Sequence, residues 1–296
     1  MSVYPFIEAE KAGQGNVAAA CRLLEVSRSA FYEHIKHIPS AHDRQDRMLT
    51  DRIKAIHADS RGTYGWPRVH QALRREKIRC SPKRVARLMR TAGLVGRCRR
   101  RGIKTTIPDP DMAAVDLVKR AFRVGTTELD RIWVGDITYI RTWEGWLYLA
   151  TVIDLASRRV VGWSMADHMR AELVCDALTM AIEARRPEPG LVFHSDRGTQ
   201  YTSADFRTLL AANGVVQSLS RPRQCWDNAV AESWFSTLKT ELVDRESLPT
   251  RRHARRRIFD FIERFFNRRR LHSSLGYRTP AEYETMLRQK KAGQAA

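Results

Sequence analysis

Apolar positions along the chain change period twice. From Val17 to Ile35 they recur at helical spacing: Val17, Ala20, Cys21 and Leu24 share one face, and Phe31 and Ile35 continue the stripe beyond Ser27, which can cap a second helix. Two short helices around a tight turn are predicted. This is the outline of a helix-turn-helix whose second helix could present Arg28, Ser29 and Lys36 to a DNA groove, although a helical hairpin that only packs shows the same periodicity. A second helical unit follows through Trp66, Val69 and Leu73 into SPKRVARLMRTAGL. There Ser81 suits the N-cap, Pro82 the first helical position, and Val85, Leu88 and Met89 the buried stripe, leaving Lys83, Arg84, Arg87 and Arg90 on the outer faces.

In the middle of the chain the period falls to that of strands. WVGDITYI (133–140), WLYLATVID (146–154) and RVVGWS (159–164) are rich in β-branched and aromatic residues, with Glu144-Gly145 offering a turn, so three consecutive antiparallel strands are expected. Beyond them the pattern alternates: a helix over 171–184, a strand over 191–194, a helix over 203–212 and a strand over 215–219. The sum is a mixed α/β sheet. Helical spacing returns at Ile258, Phe261, Ile262 and Phe265, in a basic helix that begins among the five arginines of 251–257 and keeps Arg264 and Arg268 outside. Thr279, Pro280 and Glu282 form a capping box that opens a last short helix, with the closing KKAGQAA expected to fray.

Charge changes this picture. The 296 residues hold 52 Lys and Arg against 33 Asp and Glu, a formal +19, yet residues 1–120 carry +13, residues 121–250 carry −3 and residues 251–296 carry +9. Two cationic flanks suit a polyanionic partner, and the acidic centre can supply carboxylates to a metal-dependent phosphoryl site; a merely solvated basic surface is the plainer alternative. Arg97, Arg99, Arg100, Arg101 and Lys104 run into a Pro-bearing IPDPD segment, which reads as a basic linker suited to phosphate contact. The longest apolar run, Trp146 to Ile153, is too short for a membrane span, and the first residues lack a secretory pattern, so no membrane and an intracellular protein are expected. Cys21, Cys80, Cys98, Cys175 and Cys225 contain no CxxC pair; neither a disulfide framework nor a thiolate zinc site follows, and His34 and His37 lack the partners of a zinc module.

Three acids stand out. Asp136 interrupts an otherwise apolar strand, which is costly unless the carboxylate is paired or binds metal. Asp196 ends the fourth strand in HSDRGTQYTS, and Glu232 lies on a helix starting near Asp227 or Asn228, with Ser236 and Lys239 four and seven residues on. Together they make a hard-oxygen set for Mg²⁺. Asp154 and Asp167 are lesser candidates at strand ends, where Asp commonly caps a turn. His194, Ser195 and Asp196 spell a hydrolase triad, but neighbours on a strand alternate faces and cannot form a relay. Trp226, Trp234 and Phe235 read as core, while Arg221, Arg223 and Gln224 are candidate DNA contacts.

WVGDITYI, HSDRGTQYTS and SRPRQCWDNAVAESWFSTLKTEL, with 35 residues between Asp196 and Glu232, resemble the Asp, Asp, 35, Glu signature of the retroviral-integrase superfamily. More narrowly the chain resembles the OrfB-type transposases of the bacterial insertion-sequence-three family: GTYGWPRVHQAL and SPKRVARLMRTAGL match the family's amino-terminal DNA-binding region, and NRRRLHSSLGYRTPAEYE its terminal motif. The resemblance implies an RNase-H-like integrase catalytic core with an N-terminal all-helical, helix-turn-helix DNA-binding region. Expected boundaries are a helix-turn-helix-like unit over 1–40, a second helical DNA-binding domain over 41–105, a linker over 106–124, the core with its C-terminal helices over 125–285 and a tail over 286–296.

Asp136, Asp196 and Glu232 carry over as catalytic and metal-binding residues, with two Mg²⁺ ions, replaceable by Mn²⁺, and Lys239 as the basic position near terminal DNA. The implied reaction is cleavage at the element's ends and strand transfer, through one end joined to the other and a circular intermediate. The implied partners are double-stranded DNA, in the terminal inverted repeats and the target, a homo-oligomer on paired ends, and an upstream-frame OrfA-type protein or fusion. Two rivals stay open: a catalytically silent, domesticated DNA-binding regulator, and an RNase-H-like nuclease.

Overall fold

Alternation along the central strands dictates the layering. The computed structural model describes residues 3–36, 40–98, 128–220 and 229–295. Strands β1 (Ile132–Thr142), β2 (Gly145–Asp154) and β3 (Val160–Ala166) form an antiparallel meander, with the β1–β2 turn closed at Gly145, whose φ of +109° favours glycine. Successive residues face opposite ways: Trp133, Ala150 and Val152 belong to one core, and their neighbours Val134, Leu149 and Ile153 to the other. Both faces are therefore covered, which is why these strands read as almost continuous apolar runs.

Two parallel strands extend the sheet beyond β1, each reached by a helical crossover. Helix α7 (Ala171–Arg185) leads into β4 (Val192–Ser195), and α8 (Ala204–Ala212) into β5 (Val216–Leu219), giving the order β3-β2-β1-β4-β5 with β1 at the centre. Leu173, Ala177 and Leu178 of α7 and Phe206 and Leu210 of α8 fill the first core. The α7 backbone lies so close to β3 that a Cβ on Gly162 would stand 2.2 Å from the Ala177 carbonyl oxygen.

The opposite face is covered by α9 (Ala229–Glu241) and α10 (Arg251–Phe259), the latter continuing as a widened π-helical turn over Asp260–Phe266. Trp234, Phe235 and Leu238 join Ile258, Phe261, Ile262 and Phe265 against the sheet, as their spacing predicts. Helix α11 (Pro280–Ala295) opens with the expected box, Thr279 N donating to Glu282 Oε2 at 2.9 Å and Glu282 N to Thr279 Oγ1 at 3.2 Å. It is longer than expected: KKAGQA continues the helix, since Lys, Gln and Ala are good helix formers and the lone Gly293 does not break it.

The amino-terminal part holds two small helical assemblies. Helices α1 (Tyr4–Ala12), α2 (Val17–Leu23) and α3 (Arg28–Lys36) enclose Ile7, Ala20, Cys21 and Phe31. Ser27 caps α3 as expected, its Oγ accepting from Ala30 N at 3.0 Å, but the hairpin gains a helix, α1, which its weak pattern did not announce. Helices α4 (Ala41–Asp59), α5 (Trp66–Arg75) and α6 (Pro82–Thr91) follow, with Ser81 and Pro82 at the start of α6 and Val85, Leu88 and Met89 buried.

Their core is continuous with the α9–α10 layer. Tyr64 Oη accepts from Leu271 N at 2.7 Å and donates to the Arg269 carbonyl at 3.1 Å, while Arg61 pairs with Asp260 and Arg75 with Glu282. A buried pair backs this seam, Arg270 donating twice to Glu241 at 2.8 and 2.6 Å, with Arg68 of α5 3.8 Å from the same carboxylate.

Gly162→Ala is expected to destabilise by about 1–3 kcal/mol or more, because backbone cannot yield as a flexible side chain does, whereas Gly293→Ala, with open space around it, should stay within about 0.5 kcal/mol. Denaturant unfolding compares the two. By the same measurement Glu241→Gln should cost about 3–5 kcal/mol, since it strands the Arg270 charge in the interior.

Candidate active site

Asp136 sits in the middle of β1 with its Cα opposite Thr151 of β2. One oxygen, Oδ1, accepts from Ile137 N at 2.8 Å. Its carboxyl is raised to about 7, chiefly by burial and with like-charge repulsion from Asp196 and Glu232, against the opposing help of that hydrogen bond and of Lys239. The three acids and the lysine are thus electrostatic neighbours, although 103 positions of sequence separate Asp136 from Lys239.

The sheet explains half of this meeting. β1 and β4 run parallel with Val134 level with His194, and two residues further along each strand direction lie Asp136 and Asp196. Asp196 has just left β4, is exposed, and turns its Oδ1 to accept from Gly198 N at 3.0 Å. The helix supplies the rest. Ala231, Trp234, Phe235 and Leu238 anchor α9 on the core, which leaves Glu232 exposed in its first turn and Lys239 two turns on, with Nζ 5.3 Å from the centre of the Tyr139 ring on β1. Among the described residues no three His, Cys, Asp or Glu side chains are gathered closely enough to enclose a metal ion. The donor set itself is all hard oxygen and mutually repelling, which is the chemistry a divalent cation relieves.

Two neighbours escaped the sequence reading. Tyr201 is buried and its phenol is held well above its ordinary value by burial and then by the charges of Asp136 and Asp196. Its signal was a lone aromatic five residues after Asp196 in a polar loop. Thr151, opposite Asp136, keeps a buried Oγ1 with no hydrogen-bond partner among the described residues; it was visible only as the one polar residue inside WLYLATVID before its closing Asp.

Other candidates fall elsewhere. Asp154 caps the β2–β3 turn, accepting from Asp130 N at 3.0 Å and from Ser157 N and Oγ at 2.8 and 2.6 Å, and burial holds its carboxyl up at about 6. Asp167 is exposed beyond β3. His194 Nδ1 meets Ser218 Oγ at 2.9 Å, and Ser195 Oγ donates to the Asp196 carbonyl, so no relay forms. Arg28, Lys83, Arg87 and Arg90 are exposed, but Arg84 and Arg87 both engage Asp46 of α4, at 2.7 and 2.6 Å, and so hold α6 to α4 as well as facing outward. Arg99, Arg100, Arg101, Arg221, Arg223 and Gln224 lie outside the described residues.

Comparison with known proteins identifies the family. Residues 127–225 match the family described as "Integrase core domain", residues 213–280 a second family of that description, and residues 43–102, which include most of α4 and all of α5 and α6, an "HTH-like domain". The chain is 37% identical over 247 residues to the "Transposase for insertion sequence element IS904" of Lactococcus lactis, covering 83% of this chain and 97% of that one. It is 37% identical over 284 residues to "Transposase InsF for insertion sequence IS3A" of Escherichia coli strain K12, covering 95% and 98%. The HTLV-2 integrase catalytic core domain, solved in complex with magnesium, aligns with a TM-score of 0.40 at 17% identity over 53% of this chain and 97% of that one. The family rests on the sequence matches: an integrase-type core behind an HTH-like helical unit, on a chain more than a third identical to these transposases over nearly their whole length, belongs to the IS3 family of transposases, which are polynucleotidyl transferases acting on DNA.

Proposed function

We propose that Asp136, Asp196 and Glu232 are the catalytic and metal-holding carboxylates with which this chain cuts the ends of its insertion element and joins them to new DNA. The observation that carries this reading is the state of Asp136. An acid half-buried on the central strand is pushed up to about 7, first by burial, and two of the other groups that push it are the other two members of the set. Asp136 and Asp196 would hold ions from the sheet, each with one oxygen fixed by a backbone N–H, and Glu232 would hold them from α9. Divalent ions, Mg²⁺ or Mn²⁺ in its place, supply activation of the attacking oxygen and stabilisation of the leaving 3′ oxygen in such sites.

Lys239 places a positive charge on the same side of α9 as Glu232, where it can hold a phosphate of the strand being cut. Attack by water nicks the strand; attack by the freed 3′-hydroxyl transfers it. Neither step needs a covalent enzyme intermediate. Lys83, Arg90 and Arg28 are proposed to track the DNA backbone. A homo-oligomer on paired inverted repeats and an OrfA-type upstream partner complete the reading.

On a labelled duplex carrying the terminal repeats, Glu232→Gln should lower Mg²⁺-dependent nicking and joining by about a thousandfold, the equivalent of several kcal/mol, with duplex affinity unchanged. Duplex binding without nicking by the wild-type chain, even with Mn²⁺ and the upstream partner, would favour a silent DNA-binding regulator instead. Asp136 adds a pH signature. Its folded value lies above its ordinary 3.8, so between about 4 and about 7 the folded protein keeps a proton that the unfolded chain has released. Metal-free stability should therefore fall as pH rises across that window, by at most about 1.4 kcal/mol per unit, and level off above it. Asp136→Asn should flatten this slope, melt above the wild type at pH 8 without metal, and lose the stabilisation that Mg²⁺ or Mn²⁺ gives the wild type. Unchanged slopes in thermal melts from pH 5 to 8 would sink this account.

A further inference from the structure

The hairpin that follows Asp136 carries more aromatic surface than its packing uses. Residues 137–148, ITYIRTWEGWLY, hold Tyr139, Trp143, Trp146 and Tyr148, and the first three are 57%, 79% and 44% exposed. Tyr139 stands opposite Tyr148, and Arg141 opposite Trp146, so these four share one face of the sheet. It is the face that α7 and α8 cover further back, and Tyr148 still reaches their core; beyond it Tyr139, Arg141 and Trp146 are exposed. Tyr139 and Trp146 meet edge to face, with ring centres 5.1 Å apart and planes at 84°. Apolar surface gathered in one exposed place marks a surface for binding.

The patch is braced and lies next to the carboxylates. Thr142 Oγ1 donates to the Gly145 carbonyl at 2.7 Å, Trp143 N to the Leu248 carbonyl at 3.3 Å, and Arg251 Nε to the Trp146 carbonyl at 3.0 Å. Tyr139 is three residues from Asp136 on β1, about 10 Å along the strand, and faces the other way. Both flank an open edge: β4 pairs with β1 only as far as Val134, and among the described residues no strand takes up the rest of that side. Lys239 crosses this edge. It belongs to α9, which packs on the Asp136 side of the sheet, yet its Nζ lies 5.3 Å from the centre of the Tyr139 ring. A cation able to hold a phosphate therefore links the acids to the rings.

We propose that Tyr139, Trp143 and Trp146 form a stacking platform for an unpaired base of the strand being cut, close to the scissile phosphate, while Lys239 and Arg141 face its phosphates. This rests on the reading of Asp136, Asp196 and Glu232 as the cutting site. Inside a duplex both faces of a base are covered by its neighbours, so an aromatic platform takes only a base that has left the stack. Stacking tolerates any base, and the cations beside the rings make the surface one for nucleic acid. Glu144 is the one acid in this stretch, and its Oε2 accepts from Arg251 N at 2.8 Å. A second copy docking through the same patch about a two-fold axis would set these cations against their like, so charge favours DNA as the occupant. The element's end is then opened where it is cut, and cleavage depends on how readily the flanking pairs melt.

The test compares terminal-repeat duplexes bound by the full-length chain in EDTA, so that cleavage plays no part: one fully paired, the others with a short mismatch moved stepwise across the cleavage point. A mismatch removes the cost of opening, so wild-type affinity should rise about tenfold at one placement, and an abasic nucleotide there should cancel the gain. Tyr139→Leu and Trp146→Leu should each lose most of that preference with the slope of log affinity against log salt unchanged, because a stacked ring releases no counter-ions; Trp146→Phe should retain it. Lys239→Gln should do the reverse, keeping the preference and lowering the slope by up to about 0.9. The two rings lie on separate strands and both are exposed, so Tyr139→Leu reports even if Trp146→Leu unfolds. No preference in the wild type at any placement, or ring variants that keep it, would overturn the platform and leave the role of the carboxylates standing. Ring variants that keep the preference but lose self-association would assign the rings to a contact between copies, which overturns it too. Failure of the wild type to bind any duplex would overturn the proposed function as well.

Discussion

The cost of keeping an ionised carboxylate inside a covered sheet governs this structure. β1 is the central strand, apolar on both sides, and half-buried Asp136 in its middle gains one backbone hydrogen bond, while Lys239 acts on it from α9 against the two other acids. A group so placed either keeps its proton or waits for a cation. What surrounds it follows from that choice. A parallel neighbour, β4, delivers Asp196 to the same edge, and a helix anchored by Trp234, Phe235 and Leu238 brings Glu232 across from the opposite layer. Every one of these additions makes the carboxyl harder to ionise in isolation. The fold stores unfavourable electrostatics at the point where a divalent ion would release them.

Much of this was legible in the chain because it depends on local pattern. Runs of β-branched and aromatic residues around the Glu144-Gly145 turn gave the meander, and the Ser81-Pro82 and Thr279-Pro280 pairs marked two helix starts. The 35-residue interval between Asp196 and Glu232 carried meaning only through the family resemblance; in the structure it includes α8 and β5. Other features depend on partners far away in sequence and leave no periodic trace. Tyr201 matters through what its ring is buried against, and Arg84 and Arg87 looked like free cations until α4 placed Asp46 beneath them. Helix α1 has a weak apolar stripe and is held by the little core around Phe31. The seam at Tyr64 joins groups about two hundred residues apart, a relation that no window along the chain contains.

That seam also explains the placement of arginine. The two cationic ends of the chain might be expected to repel, yet Arg61, Arg68 and Arg75 of the helical unit each face an acid, Asp260, Glu241 or Glu282, contributed by the C-terminal half. Interdigitated pairs of this kind fix register between two basic bodies at modest net energy, while the shared apolar core beneath supplies the attraction.

The continuity of that core bears on how such chains diversify. A DNA-reading unit joined by a bare tether can be exchanged between relatives like a detachable part. Here Leu73, Val85 and Met89 are packed into one interior with Trp234 and Phe265, and the α4–α6 unit is welded to the far side of the sheet that carries the acids. Recombination that replaced α4–α6 alone would expose an apolar scar on α9 and α10. Change in this unit is therefore more accessible through point changes on the outward faces of α5 and α6 than by swapping the whole unit.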